Sequence, residues 1–326
     1  MGIEVRHLRY FVAVAEEGSF TAAARRVHVT QQVLSAQMQQ LEGILGVQLL
    51  ERSRRGASVT AAGASFLDGA RSTLAELDRA ASAARNSALA IQGVLPVGLS
   101  VAAGGELPTR LLAAFQREEP AAEIRLHSSE LTHPAGGLLD RSTDVAFVRP
   151  PVRAAGIELA TLAEEPRVWV LPAGHPLAGR DCLHLSDTET LPWIAAPLAT
   201  DGCDPAAWRD DWLVSPRPSG GRPVIGATAR TIDEWREYVV AGRGVSLCPA
   251  SAETFHARPG LAFVPSRGVP RSPLCLAWRA GDTSPAVRRF IKVAIEAAGA
   301  AGAGPAGPDA SGRGAGASSG GARGVE

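Results

Sequence analysis

Gln32, Ala36 and Gln39 fall on one side of a helix if residues 31 to 43 are helical, with Ser35 and Gln40 beside them and an apolar stripe of Leu34, Met38 and Leu41 opposite. The outward side is uncharged and rich in amides. A glutamine amide can pair with the N6 and N7 edge of adenine, and a serine hydroxyl can bond to a base or a phosphate, so this side has the chemistry to read a nucleic-acid groove. The solvated face of an ordinary helix has a similar composition. A second group follows closely: Arg52, Arg54 and Arg55 stand at a glycine turn, Gly56, within a strand-like segment from Leu49 to Thr60. A basic hairpin suits backbone phosphates or a minor groove, although a charged loop in water looks the same when taken alone.

These groups are useful only if short helices hold them in place. Val5, Leu8, Phe11, Val12 and Ala15 recur at helical spacing and stop at Gly18, a C-terminal cap. Ser19 then caps a second helix with Phe20, Ala23, Ala24 and Val27 on its apolar face, and Thr30 caps a third after only His28 and Val29. Neither cap has Glu or Gln three residues later, so no capping box reinforces them. Helix, tight turn, helix and basic hairpin together outline a winged helix-turn-helix. From Thr60 to about Ile91 a long alanine-rich helix places Leu67, Ala70, Leu74, Leu77, Ala81, Ala84, Ala88 and Ile91 at alternating spacings of three and four. That period favours a seam with a second copy over packing on the chain's own domain.

After Ile91 strands alternate with helices, the sign of a parallel α/β architecture. Val94 to Leu99, Glu123 to His127 and Asp144 to Val148 read as strands. Their following loops, with Ser100, Ser128, Ser129 and Arg149, should converge on one cleft. Arg149, at a strand's carboxyl end, could grip a carboxylate ligand, with the serines as hydroxyl donors. Further strands are expected at residues 167–171, 192–195, 224–227, 245–248, 261–264 and 274–278, with a helix from Pro285.

The whole-chain arithmetic limits the alternatives. The 326 residues suffice for about two domains. The 33 basic and 33 acidic side chains balance, so a nucleic-acid surface must be a local patch. Lys292 is the only lysine. Cys182, Cys203, Cys248 and Cys275 are too scattered for a redox pair or a zinc knuckle, which points to a reducing cytosol. There is no membrane-length apolar run and no myristoylation signal, and Glu4, Arg6 and Arg9 stand where an export signal would turn apolar. A cytoplasmic location with no membrane association is therefore expected. Esterase elbow, P-loop, zinc-protease helix and dinucleotide fingerprint are all missing, so neither an enzyme, a metal nor a cofactor is expected. His127 and His133 lack further ligands, and a redox role for Cys203 would require a lowered thiol pKa.

Arg6-His7-Leu8-Arg9-Tyr10-Phe11, Glu17-Gly18-Ser19-Phe20-Thr21-Ala22-Ala23-Ala24, Val29-Thr30-Gln31-Gln32-Val33-Leu34-Ser35, Gln40-Leu41-Glu42, Leu45-Gly46-Val47 and Leu49-Leu50-Glu51-Arg52 resemble the N-terminal domain of LysR-type transcriptional regulators. The likeness is dense up to Thr60 and looser to about Ala297. It implies an α/β chain overall: a winged helix-turn-helix at residues 3–60, a dimerising linker helix at 61–93, and an effector-binding domain at 94–298 built like a periplasmic solute-binding protein. That domain would divide into residues 94–165 plus 266–298 and residues 166–265. Residues 299–326, dominated by glycine and alanine, are expected to be disordered.

Candidate DNA contacts are accordingly Ser19, Thr21, Arg25, Thr30, Gln31, Gln32, Ser35, Ala36, Gln39, Arg52, Arg54 and Arg55. Candidate effector contacts are Ser100, Val101, Ala102, Ser128, Ser129, Phe147 and Arg149 on one side, with Ala196, Pro197, Thr200, Thr228 and Val245 implied on the other. The expected partners are pseudo-palindromic double-stranded DNA, a second copy in a homodimer or a homotetramer, a small-molecule effector, and RNA polymerase. Two positions depart from the family pattern, which has proline where Gln32 stands and a basic residue where Ala36 stands. A plain solute-binding module, the main rival, leaves the first sixty residues unexplained.

Overall fold

The computed structural model describes residues 2–53, 56–100, 103, 105–215, 217 and 220–302. The chain opens with α1 (Val5–Glu17), α2 (Phe20–Arg26) and α3 (Gln31–Leu45), followed by an antiparallel hairpin of β1 (Leu50–Ser53) and β2 (Gly56–Val59). Local chemistry sets the breaks. Gly18 and Gly46 end α1 and α3 in the left-handed region, at φ 61° and 68°, where a side chain would be strained. Ser19 and Thr30 each accept a backbone N–H, from Ala22 and Val33, both at 3.3 Å. Phe11, Ala23, Leu34, Met38 and Leu41 are fully buried where the three helices meet.

The long helix α4 (Ala61–Ile91) divides its apolar stripe between two surroundings. Phe66, Leu67, Ala70 and Leu74 pack on the head's own core, with the Phe66 ring edge-on to Phe11 at 5.3 Å. Leu77, Ala84, Ala88 and Ile91 stay exposed, Ile91 by 88%. The seam expected along the whole helix is thus open only in its second half. Near its end Asn86 donates to the Arg141 carbonyl at 2.9 Å, which ties the helix to the domain that follows.

That domain has two lobes. The first sheet runs β4 (Glu123–Ser128), β3 (Val94–Leu99), β5 (Val145–Val148), β13 (Ser272–Arg279), β6 (Ile157–Glu165). It is covered by α5 (Glu106–Glu118) and α9 (Pro285–Gly302), whose Phe115 and Phe290 rings meet at 5.0 Å. The second sheet runs β11 (Ser246–Pro249), β7 (Arg167–Pro172), β12 (Leu261–Arg267), β8 (Leu183–His184). The parallel pair β9 (Pro192–Ala195) and β10 (Val224–Thr228) joins this sheet through a bridge between Trp193 and Val245. The short helices α6 (Pro205–Leu213), α7 (Ile232–Val240) and α8 (Ala252–Phe255) complete the lobe.

The chain crosses between lobes twice, from β6 to β7 and from β12 to β13. The sheets are consequently mixed rather than wholly parallel: β13 re-enters from the far lobe and runs antiparallel to both β5 and β6. Helix α9 continues through Gly302, past the expected start of the tail, and the remaining tail residues lie outside the described ones. Among the described residues no helix is long and apolar enough to cross a membrane.

Candidate nucleic-acid interface and effector cleft

With Leu34, Met38 and Leu41 buried, α3 turns Gln31, Gln32, Val33, Ala36 and Gln39 into solvent and leaves Ser35 half-buried. The amide of Gln37 donates to Gln40 at 3.2 Å. Gln32 and Gln39 form no side-chain hydrogen bond with any described residue, so their amides are open to an outside partner. Thr21 and Arg25 are exposed on the neighbouring helix. Ser19 and Thr30 use their oxygens as cap acceptors, which leaves each hydroxyl hydrogen available to a phosphate.

Adjacent arginines divide the labour. Arg26 pairs with Glu16 at 2.8 Å and Glu17 at 3.1 Å, and Arg71 of α4 pairs with Glu16 at 2.9 Å, so this network binds the helix pair to the long helix. Burial pushes the Glu16 carboxyl up, but Arg71 and Arg26 outweigh it and hold it below the usual range. Arg25 makes no ion pair with a described residue.

The wing is held from both ends. Glu42 accepts the N–H groups of Leu49 and Leu50 at 2.8 and 3.0 Å, fixing where β1 leaves α3. Ala57 donates to the Gly18 carbonyl at 2.7 Å, and the Thr60 hydroxyl donates to the Gln48 carbonyl at 2.8 Å. Glu42 therefore positions the wing, a role the sequence reading did not identify. Arg52 lies on β1 opposite Ala57, while Arg54 and Arg55 fall outside the described residues.

In the second domain, Ala196, Pro197, Thr200 and Thr228 line one cleft of about 1110 Å³, joined by Thr132 from the first lobe. Arg209, Arg222 and Arg230 also border it, and Glu16, Glu17, Arg26 and Arg71 form part of its wall from the head. The lobes are stitched beside it: Thr200 N–H donates to the Thr132 carbonyl and Ala135 N–H to the Asp201 carboxylate, both at 2.9 Å. Ser100, Ser128 and Ser129 do not line this cleft. Ser100 is buried, with its N–H on the Phe147 carbonyl at 2.9 Å, and the Ser129 hydroxyl donates to the His133 carbonyl at 3.0 Å. Ser128 is exposed, and Val101 and Ala102 lie outside the described residues.

Three further expectations need correction. Arg149 is only 3% exposed, and its guanidinium pairs with Glu165 and donates to the Ser272 carbonyl and hydroxyl at 3.2 Å. It braces the crossing strands instead of reaching for a ligand carboxylate. Phe147 is fully buried against Phe290 in the first lobe's core. Val245 is buried where it bridges Trp193, so neither of these side chains faces a cleft. As for Cys203, burial and then the Asp201 carboxylate push its thiol well above the usual range, the reverse of what a peroxide-reactive thiolate requires.

Against proteins of known family, residues 5–64 match the model described as bacterial regulatory helix-turn-helix protein, lysR family, and residues 90–299 match the LysR substrate binding domain. The chain is 33% identical to the Hca operon transcriptional activator HcaR of Escherichia coli over 90% of its own length and 98% of that protein. It is 32% identical to the HTH-type transcriptional regulator BudR of Raoultella terrigena over 89% of its length and 100% of that protein. Among solved structures, full-length CbnR complexed with its target DNA is 30% identical, with a TM-score of 0.51 over 91% of this chain and all of that one.

Proposed function

The chain belongs to the LysR family of bacterial helix-turn-helix regulators, and from that footing we propose that two copies set their α3 helices into the major groove of a pseudo-palindromic operator. It is a DNA-binding transcriptional regulator with an effector-binding domain. The observation that carries the proposal is the outer face of α3, which is capped, anchored from behind, and furnished with the unengaged amides of Gln32 and Gln39. The open half of α4, with Leu77, Ala84, Ala88 and Ile91, supports pairing of copies, and further contacts between effector domains would build a tetramer. The site of action is the cytoplasm, and the chain carries out no catalysis.

An acidic small molecule suits the cleft of Thr132, Ala196, Pro197, Thr200 and Thr228 because Arg209, Arg222 and Arg230 border it against the single further carboxylate of Asp210, Glu16 and Glu17 being paired with Arg26 and Arg71. These arginines take the role first expected of Arg149. Since residues of the head share the same cleft, a ligand that prefers one arrangement of head and lobe shifts the spacing of the paired α3 helices.

Selection from random duplexes, followed by binding isotherms at several salt concentrations, tests the reading. Arg25→Ala is expected to weaken all sequences alike and to reduce the slope of log K against log salt by about 1. Gln32→Ala should instead change base preference at one position of each half-site, by about 1–3 kcal/mol. If preference follows Arg25 while Gln32 affects only the salt slope, the assignment of roles is wrong.

A further inference from the structure

Val33 is an apolar, β-branched residue left 47% exposed on the first turn of α3, next to Gln32. Ala36, three residues on and therefore its neighbour across the helix surface, is exposed as well. From Thr30 to Leu41 the helix carries no charged side chain. Beyond this pair the surface offers Gln37 and Gln40, which are bonded to each other. The face thus consists of methyl groups set beside amides, with no guanidinium or ammonium among them.

The major groove gives that composition a definite counterpart. Thymine alone presents a methyl group there, and adenine alone presents the adjacent acceptor and donor that suit a glutamine amide. The commonest reader of guanine is a cationic side chain aimed at O6 and N7, and none stands on this face. An exposed valine gains by being covered with another apolar group.

We propose that Val33, with Ala36, is a thymine-methyl reader, so that the core of each half-site is specified as A·T pairs: adenine by the glutamine amide, thymine by the valine methyls. This rests on the reading of α3 as the groove-entering helix. Continuity with the amides of that helix is what selects DNA over a protein partner for the patch.

The test uses the full-length chain and the duplex recovered by selection from random sequence. Each thymine of the site is replaced in turn by deoxyuridine, which removes only the C5-methyl, and affinity is read by fluorescence anisotropy. At one or two thymines per half-site the wild-type chain should bind about threefold to fivefold more weakly, the effect expected for one buried methyl. Val33→Ala should be nearly indifferent to the same replacements, and Val33→Thr, which keeps one of the two methyls, should lie between. Both variants should fold, since the side chain is on the surface and alanine favours helix; circular dichroism checks this. Equal uridine sensitivity in wild type and Val33→Ala overturns the proposal, as does a selected core of G·C pairs or a core in which no thymine responds. A selection that enriches no sequence overturns the DNA-reading premise itself, and the two failures are therefore distinguishable.

Discussion

Gly63→Ala is expected to destabilise the head and weaken DNA binding, although helix propensity alone predicts the opposite sign. Within a helix, alanine is favoured over glycine by about 1 kcal/mol. A Cβ at position 63, however, would lie 2.1 Å from the Leu49 carbonyl oxygen and 2.7 Å from the Val59 side chain. The first of these is backbone, at the point where the chain leaves α3 for the wing, so it cannot rotate out of the way. Relieving such a contact costs roughly 1–3 kcal/mol or more, which outweighs the propensity gain. Because Glu42 holds Leu49 and Leu50 by their N–H groups, the displacement carries into β1, which bears Arg52. Gly69, on the same helix with nothing within 4 Å of its Cβ position, is the control. Gly69→Ala should raise the melting temperature while Gly63→Ala lowers it and reduces operator affinity, both read by thermal unfolding and anisotropy.

The second large effect is expected at the crossing strands. Arg149→Met would leave Glu165 with the Ser251 N–H at 2.9 Å and no cation. Removing one partner of a buried pair costs about 3–5 kcal/mol, and the lower end applies here because Glu165 keeps some contact with water. The loss should depend on pH. Burial pushes the Glu165 carboxyl up, but the charge and hydrogen bond of Arg149, with the Ser251 N–H, outweigh burial and hold it below its ordinary 4.5. A folded-state pKa below the unfolded value adds stability that is fully present above about pH 4.5 and fades as pH falls through the folded value. The gap between wild type and Arg149→Met in denaturant titrations is therefore expected to be widest near neutrality and to close in acid. Had Arg149 been an effector ligand, the substitution would alter ligand affinity and leave this stability gap small at every pH.

Local signals were legible in the sequence, and long-range ones were not. Ser19 and Thr30 cap where their hydroxyls and the following apolar spacing say they should, and Gly18 ends α1. Strands at Val94–Leu99 and Pro192–Ala195 follow from apolar runs bounded by turns. The fate of Arg149 depends on Ser272, which is distant in sequence, and on Glu165 at the end of β6, a strand that no local pattern announces. Phe147 lies within β5 and Val245 just before β11, and which side of a strand faces the core and which a cleft depends on the other strands and helices packed on it. The stripe on α4 shows its period but not what covers it, and its first half turned inward onto the head. Strand β6 carries no clear sequence signal because it is an edge strand ending in two glutamates, and α6 and α7 carry none because nine residues give too few turns for a clear apolar period. Which of Arg25 and Arg26 remained free was settled by Glu16 and Glu17, one helix away.

The central claim is that amides on α3 read adenine edges in the major groove. It is tested most directly by placing 7-deazaadenine, which lacks only the N7 acceptor, at each adenine of the selected operator and measuring affinity for wild type and Gln32→Ala. The expected result is a loss of about tenfold at one adenine in each half-site for the wild-type chain and no loss there for the variant. Full affinity of the wild-type chain for every 7-deazaadenine duplex would contradict the account.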